Sequence, residues 1–111
     1  MTAPLITVVG SVNLDFVATA MTLPAPGETV TGATLARHPG GKGGNQALAA
    51  RRLGADVRMI ARVGADSMAD EALALLKAGG VDLSGVAVDP AFATGAALIA
   101  VDAEAENQIV V

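Results

Sequence analysis

Residues 5–9 form an unbroken run of apolar and β-branched side chains closed by Gly10-Ser11. Such a run reads as a buried strand of a parallel sheet, which is covered on both faces and so loses the alternation of inward and outward residues. Residues 16–20 predict a second short strand. The prolines and glycine of Leu23-Pro24-Ala25-Pro26-Gly27 predict a turn, and residues 29–37 are read as a further strand. Residues 39–44 hold four glycines and a proline and are read as irregular. Asn45, a good N-cap, is read as opening a helix over 46–53, with Gly54 just past its end. Ala47, Ala49 and Ala50 make that helix thin.

Val57, Met59, Ala61 and Val63 alternate, which predicts a strand over 57–63. Residues 64–67 lead into a second helix, where Ser67 and Asp70 stand at capping-box spacing. Met68, Ala72, Leu75 and Leu76 share one face of it, and Gly79-Gly80 ends it. A short strand over 86–88 follows, then a hairpin of 94–101 and 108–111 around residues 102–107. Alternating strands and helices indicate an α/β fold, a parallel sheet covered by helices. Segments 16–37 and 94–111 break that alternation and are read as a small separate sheet. The expected division is an α/β body of 1–15 and 38–93 with a second sheet from 16–37 and 94–111. The final Ile109-Val110-Val111 is read as the middle of a strand, hence the chain as the front part of a longer protein; the competing reading is a short terminal strand paired to its neighbour.

Composition narrows the function. With 52% hydrophobic and 16% charged residues over 111 positions, the chain is not intrinsically disordered. Seven basic against eleven acidic residues give a net charge of −4, so no basic surface is available for a nucleic acid. The absence of cysteine excludes disulfides and thiolate metal sites. With 2% aromatic residues, and neither Trp nor Tyr, there is no platform for stacked bases. No apolar run approaches the roughly 20 residues that span a bilayer, so no membrane association is expected. The first basic residue is Arg37, so the charged start of a signal peptide is missing, and a cytoplasmic protein is expected.

Two patterns carry chemistry. Gly40-Gly41-Lys42-Gly43-Gly44-Asn45 runs into a helix, and glycines there let backbone N–H groups approach a ligand at the positive end of the helix dipole. It is not a phosphate-binding Walker loop, because Gly43 rather than Ser or Thr follows Lys42, and its spacing does not fit a dinucleotide fingerprint. A flexible turn with a solvated lysine is the competing reading. Asn13 and Asp15 stand just past the first strand, where open α/β sheets bind ligands. A carboxylate that accepts two hydroxyls, beside an amide that both donates and accepts, suits a polyol or a sugar. The competing reading is an Asx-turn for each. His38 is read as an exposed strand residue, Asp66, Ser67 and Asp70 as helix capping, Arg51 and Arg52 as the wet face of the first helix, and Asp102, Glu104 and Glu106 as a solvated turn.

The segments GSVNLDFV (10–17), LPAPGETVTG (23–32), HPGGKGGNQALAARRLGADV (38–57), RVGADSMADEAL (62–73) and TGAALIAVDAEAENQIVV (94–111) resemble the ribokinase family of carbohydrate kinases, within the larger PfkB group. The resemblance runs from residue 5 to the end. It implies a ribokinase-like fold, of which this chain is an incomplete N-terminal part, and transfer of the ATP γ-phosphate to ribose. Mg²⁺ and a monovalent cation such as K⁺ are implied as cofactors. It implies that Asn13, Leu14 and Asp15 bind the sugar, that Gly41, Lys42, Gly43, Gly44 and Asn45 close over it, and that Ala97 and Val111 flank it. The second sheet would be a lid over the sugar and the contact of a homodimer. No residue of this chain is expected as the catalytic base or as a metal ligand, since the glycine-rich GAGD segment that accompanies the base does not occur here. Many members carry Ala where Gly44 stands. The alternatives are a non-catalytic sugar-binding or oligomerisation module, and a related kinase for another sugar, such as fructose, or for a nucleoside.

Overall fold

The structure, a computed structural model, describes residues 2–111. Its strands are β1 (Leu5–Val9), β2 (Asn13–Thr19), β3 (Thr34–Gly40), β4 (Asp56–Gly64), β5 (Asp82–Asp89), β6 (Gly95–Val101) and β7 (Asn107–Val110). Helix α1 (Lys42–Arg52) lies between β3 and β4, and α2 (Ser67–Gly79) between β4 and β5. They build two sheets. One is parallel, in the order β1-β4-β5; the other has the order β3-β2-β6-β7, with β2 and β6 parallel and the outer pairs antiparallel. No helix of the described residues is long and apolar enough to cross a membrane.

The core lies where the helices meet both sheets. Val57, Met59 and Val63 of β4 pack with Ala47 of α1, Ala69, Ala72 and Leu76 of α2, and Val12 and Leu14 at the entry of β2. The alternation of β4 holds, since Val57, Met59 and Val63 are buried while Arg58, Ile60 and Arg62 are not. Both helices cover that one face of the parallel sheet. This corrects the expectation of a buried β1, whose residues are mostly exposed, Leu5 by 66% and Val9 by 75%. Among the described residues β1 pairs only with β4, and the helices lie on one face of the sheet.

Several boundaries differ from the sequence reading, β5 among them, which spans 82–89 rather than 86–88. β2 starts at Asn13, not at residue 16, and β3 spans 34–40 rather than 29–37, because the two pair in strict register from Asn13↔Gly40 to Thr19↔Thr34. Residues 13–15 and 38–40 therefore belong to strands of the second sheet. Pro39 is tolerated because β3 is the sheet's edge strand, where a missing N–H costs nothing. Helix α1 begins at Lys42, three residues before Asn45, so Gly43 and Gly44 are helical and not irregular. Gly41, at φ 92°, turns the chain out of β3 directly into the helix, and its carbonyl accepts the Asn45 N–H at 2.9 Å. Asp66, not Ser67, caps α2, accepting the Ala69 N–H at 3.1 Å. Of the expected apolar face of α2, Leu75 stands 44% exposed, and Ala69 takes a buried place instead.

The helix ends agree with the sequence: Gly54 (φ 104°) follows α1, and Gly80 (φ 82°) closes α2. Arg51 is only partly exposed and is bound rather than free. Its Nε donates to the Gly79 carbonyl at 3.0 Å, and its Nη1 donates to the Ala55 carbonyl and to Asp56 Oδ1, both at 3.1 Å, tying the end of α1 to the end of α2. The β6–β7 hairpin forms as expected, with Asp102 accepting the Glu104 and Glu106 N–H groups across its turn.

Candidate functional site

β2 is an inner strand, paired on one side with β3 and on the other with β6. Asn13 therefore has two cross-strand neighbours, Gly40 and Gly95, and Asp15 has His38 and Ala97. The glycines are what let the two polar side chains lie as they do. A Cβ on Gly95 would stand 2.5 Å from Asn13 Oδ1, and a Cβ on Gly40 would stand 2.6 Å from Asp15 Oδ1. Both polar side chains rest across bare backbone, on the sheet face that also carries Ala97 and Ile99. Asx-turn bonds to an N–H two residues on are made by Asp82, Asp89 and Asp102; among the described residues Asn13 and Asp15 make none.

The first turn of α1 completes the site. An open cleft of about 540 Å³ is lined by Ser11, Asn13 and Asp15, by Gly41, Lys42 and Asn45 of the helix start, and by Ala97, Ile99, Ile109 and Val111. That volume is of the order that small-molecule sites have. One wall is polar, with a carboxylate, two amides and an ammonium; the other is aliphatic. The first wall offers acceptors and donors of the kind hydroxyls use, and the second offers an aliphatic surface. The helix dipole at Gly41–Lys42 favours electron-rich oxygens.

Seven of the ten residues singled out from the sequence line this cleft: Asn13, Asp15, Gly41, Lys42, Asn45, Ala97 and Val111. Leu14, Gly43 and Gly44 do not. Leu14 points to the opposite face and is 1% exposed, in the core. Gly43 packs on the β1–β2 connection, where a Cβ would stand 2.7 Å from the Gly10 carbonyl carbon and 2.8 Å from Ser11 N. Gly44 lies against Val12 and Leu76, and its N–H donates to the Ser11 carbonyl at 2.9 Å. The glycine run thus serves close packing as well as the cleft.

Sequence reasoning misses the lining residues Ser11, Ile99 and Ile109 and the supporting Gly95, and it places Gly40 in the glycine run without its role as the seat of Asp15. Gly95, a glycine inside a predicted strand, carried a usable signal, because such glycines mark close approach. Among the described residues no group of three or more His, Cys, Asp or Glu is placed to hold a metal ion.

Just outside the cleft, Asp66 accepts the Thr94 N–H at 2.9 Å and the Thr94 hydroxyl at 2.7 Å. Those two bonds hold its carboxyl below the usual carboxylate range, against a smaller opposing effect of desolvation.

Residues 3–111 match the family model described as pfkB family carbohydrate kinase. The chain belongs to that family. The ribokinase of Bacillus subtilis (strain 168) is 44% identical to this pfkB chain over 106 residues, covering 96% of the chain and 36% of the relative. The crystal structure of ribokinase from Cryptococcus neoformans var. grubii serotype A in complex with ADP matches with a TM-score of 0.84 at 33% identity, over 98% of this chain and 34% of that one. The Arabidopsis thaliana ribokinase complexed with ribose and ATP matches with a TM-score of 0.83 at 33% identity, over 99% and 36%. The pfkB chain spans about a third of the length of the relatives it matches.

Proposed function

We propose that the whole protein phosphorylates ribose to ribose 5-phosphate at the expense of ATP, and that this chain carries its sugar-recognition part and lid. One observation carries the reading: Asn13, Asp15, Gly41, Lys42, Asn45, Ala97 and Val111, drawn from β2, the start of α1, β6 and the chain end, line one cleft. The neighbour solved with ribose and ATP supports the choice of sugar and co-substrate. In this reading the Asp15 carboxylate accepts two ribose hydroxyls, and Asn13 and Asn45 donate to and accept from others. Lys42 adds positive charge at the helix start, and Ala97, Ile99 and Val111 cover the apolar face and exclude water.

The reaction forms a bond between the sugar oxygen and the γ-phosphorus and breaks the bond to the β-phosphate oxygen, releasing ADP. The hydroxyl proton goes to a base that these residues do not supply. Their part is positioning, which is most of what phosphoryl transfer asks of a protein. Mg²⁺ and K⁺ belong to the same reading, bound by residues other than those described. So do a cytoplasmic location and a homodimer that pairs through the second sheet. The face of that sheet away from the cleft leaves Leu35, Leu98 and Val110 exposed, which supports such pairing.

The test is calorimetric titration with D-ribose and 2-deoxyribose. Asp15→Asn keeps the shape and removes the charge, so ribose affinity should fall by about tenfold or more. In a full-length enzyme that carries this segment, ribose should drive ADP formation. Ribose affinity unchanged by Asp15→Asn would refute the assignment, and tighter binding of 2-deoxyribose would refute ribose as the substrate.

A further inference from the structure

Thr94 is the single buried polar side chain among the described residues, 3% exposed. It immediately precedes β6 and is held from three sides. Its N–H donates to Asp66 Oδ2 at 2.9 Å, its hydroxyl donates to Asp66 Oδ1 at 2.7 Å, and the same hydroxyl accepts the Gly64 N–H at 3.0 Å. The packing leaves no slack, since a Cβ on Gly64 would stand 2.5 Å from Thr94 N and 2.6 Å from Asp66 Oδ2. The end of β4, the N-cap of α2 and the start of β6 thus meet in one polar knot.

The next residues along β6 belong to the cleft. Gly95 pairs with Asn13 and gives up its Cβ space to Asn13 Oδ1, and Ala97 pairs with Asp15 and lines the cleft wall. Neither Asp66 nor Thr94 lines the cleft itself. Capping α2 needs only the Ala69 N–H bond to Oδ1, at 3.1 Å; Oδ1 also takes the Thr94 hydroxyl, and Oδ2 takes the Thr94 N–H. An aspartate that served only as a helix cap would have no use for this second grip.

We propose that Asp66 is a positioning residue for the cleft, holding Thr94 at both N–H and hydroxyl so that β6 starts where Gly95 and Ala97 seat Asn13 and Asp15. The proposal rests on the reading of that cleft as the sugar site. The knot anchors the second sheet to the α/β body, so loosening it shifts the cleft's aliphatic wall relative to its polar one. It acts through Thr94 and touches no sugar.

Three variants separate positioning from capping. Asp66→Asn keeps a good N-cap, since Asn and Asp cap about equally well, but one amide oxygen cannot serve Ala69 and both Thr94 donors. Thr94→Val keeps the shape and loses the hydroxyl; Thr94→Ser restores it. Amide hydrogen exchange is measured on the sugar-free protein, and D-ribose affinity by calorimetry. Asp66→Asn and Thr94→Val should speed exchange at residues 13–15 and 95–97 and weaken ribose binding, each by about tenfold, with Thr94→Ser close to wild type. Exchange within α2 should stay unchanged in Asp66→Asn. That variant decides alone if Thr94→Val fails to fold.

Unchanged exchange at residues 13–15 and 95–97 in Asp66→Asn overturns the proposal. So does faster exchange with undiminished ribose affinity, where the wild type binds ribose. A wild type that does not bind ribose overturns the sugar reading instead, and the exchange arm then judges the knot by itself.

Discussion

Substituting Gly40 by alanine separates stability from recognition with one methyl group. Gly40 lies in β3 opposite Asn13, and an added Cβ would stand 2.5 Å from the Asp15 carboxyl carbon and 2.6 Å from Oδ1. Carbon and oxygen do not approach so closely, so one of them must move. The backbone is fixed by the β2–β3 ladder, whereas the half-buried Asp15 side chain can rotate away. Gly40 does not have a positive φ, so alanine fits its backbone. Replacing a strand glycine by alanine gains about 0.5–1 kcal/mol, so the melting temperature should hold or rise slightly. The carboxylate, turned off its seat, loses charge-assisted bonds worth about 1.5–3 kcal/mol. At about 1.4 kcal/mol per tenfold, ribose affinity should drop by about ten- to 150-fold. Calorimetric titration with D-ribose, paired with a thermal melt, reads both quantities. Wild-type affinity in a folded Gly40→Ala protein would refute the claim that the glycine seats Asp15. A large loss of melting temperature would show that the backbone, not the side chain, yields.

Two neighbouring glycines should respond with opposite sign. A Cβ on Gly44 meets the Val12 and Leu76 side chains at 3.8 and 3.9 Å and the Ser11 carbonyl oxygen at 3.9 Å, all ordinary contacts, so Gly44→Ala should stabilise the protein by about 1 kcal/mol through helix propensity. Gly43→Ala would press on the backbone of Gly10 and Ser11 and should destabilise by about 1–3 kcal/mol; thermal melts giving the reverse order would contradict the packing described. Asp66 has a lowered pKa in the folded state, so its contribution to stability is complete above its ordinary value of 3.8 and disappears as the pH falls through the native value. Urea unfolding of wild type and Asp66→Asn should therefore show a gap that is constant near neutrality and closes in acid; a gap that persists in strong acid would count against the Thr94 bonds as its source.

What the sequence disclosed followed from local chemistry. The alternation of Val57, Met59 and Val63, the glycine ends of both helices and the hairpin around Asp102 each depend on residues close in sequence. The start of α1 did not follow in this way. Asn45 has the right chemistry for an N-cap, but the turn is made earlier, where Gly41 and Gly43 fit against the Gly10–Val12 connection far away in sequence. The extent of β3 was hidden likewise, since pairing register is a tertiary property. In the cleft, Asn13, Asp15, Lys42 and Asn45 stood out by residue type and by family resemblance. Ser11, Ile99 and Ile109, and the seats at Gly40 and Gly95, depend on which strands lie side by side. Arg51 was misread for the same reason, because its partner Gly79 belongs to another helix.

The parallel pairing of β2 with β6 has a kinetic consequence. It joins Asn13 to Gly95, and the chain between them includes both helices and most of the parallel sheet. Closing so long a loop is entropically unfavourable until the intervening segment has become compact, and non-local parallel pairing is slow. The wall that unites Asn13, Asp15 and Ala97 is therefore among the last parts to assemble, after the α/β body it leans on. Ligand binding then draws the equilibrium toward the fully assembled state. A core change such as Met59→Ala, well away from any hydroxyl-binding group, would weaken apparent sugar affinity simply by lowering the fraction of molecules in which the cleft has formed.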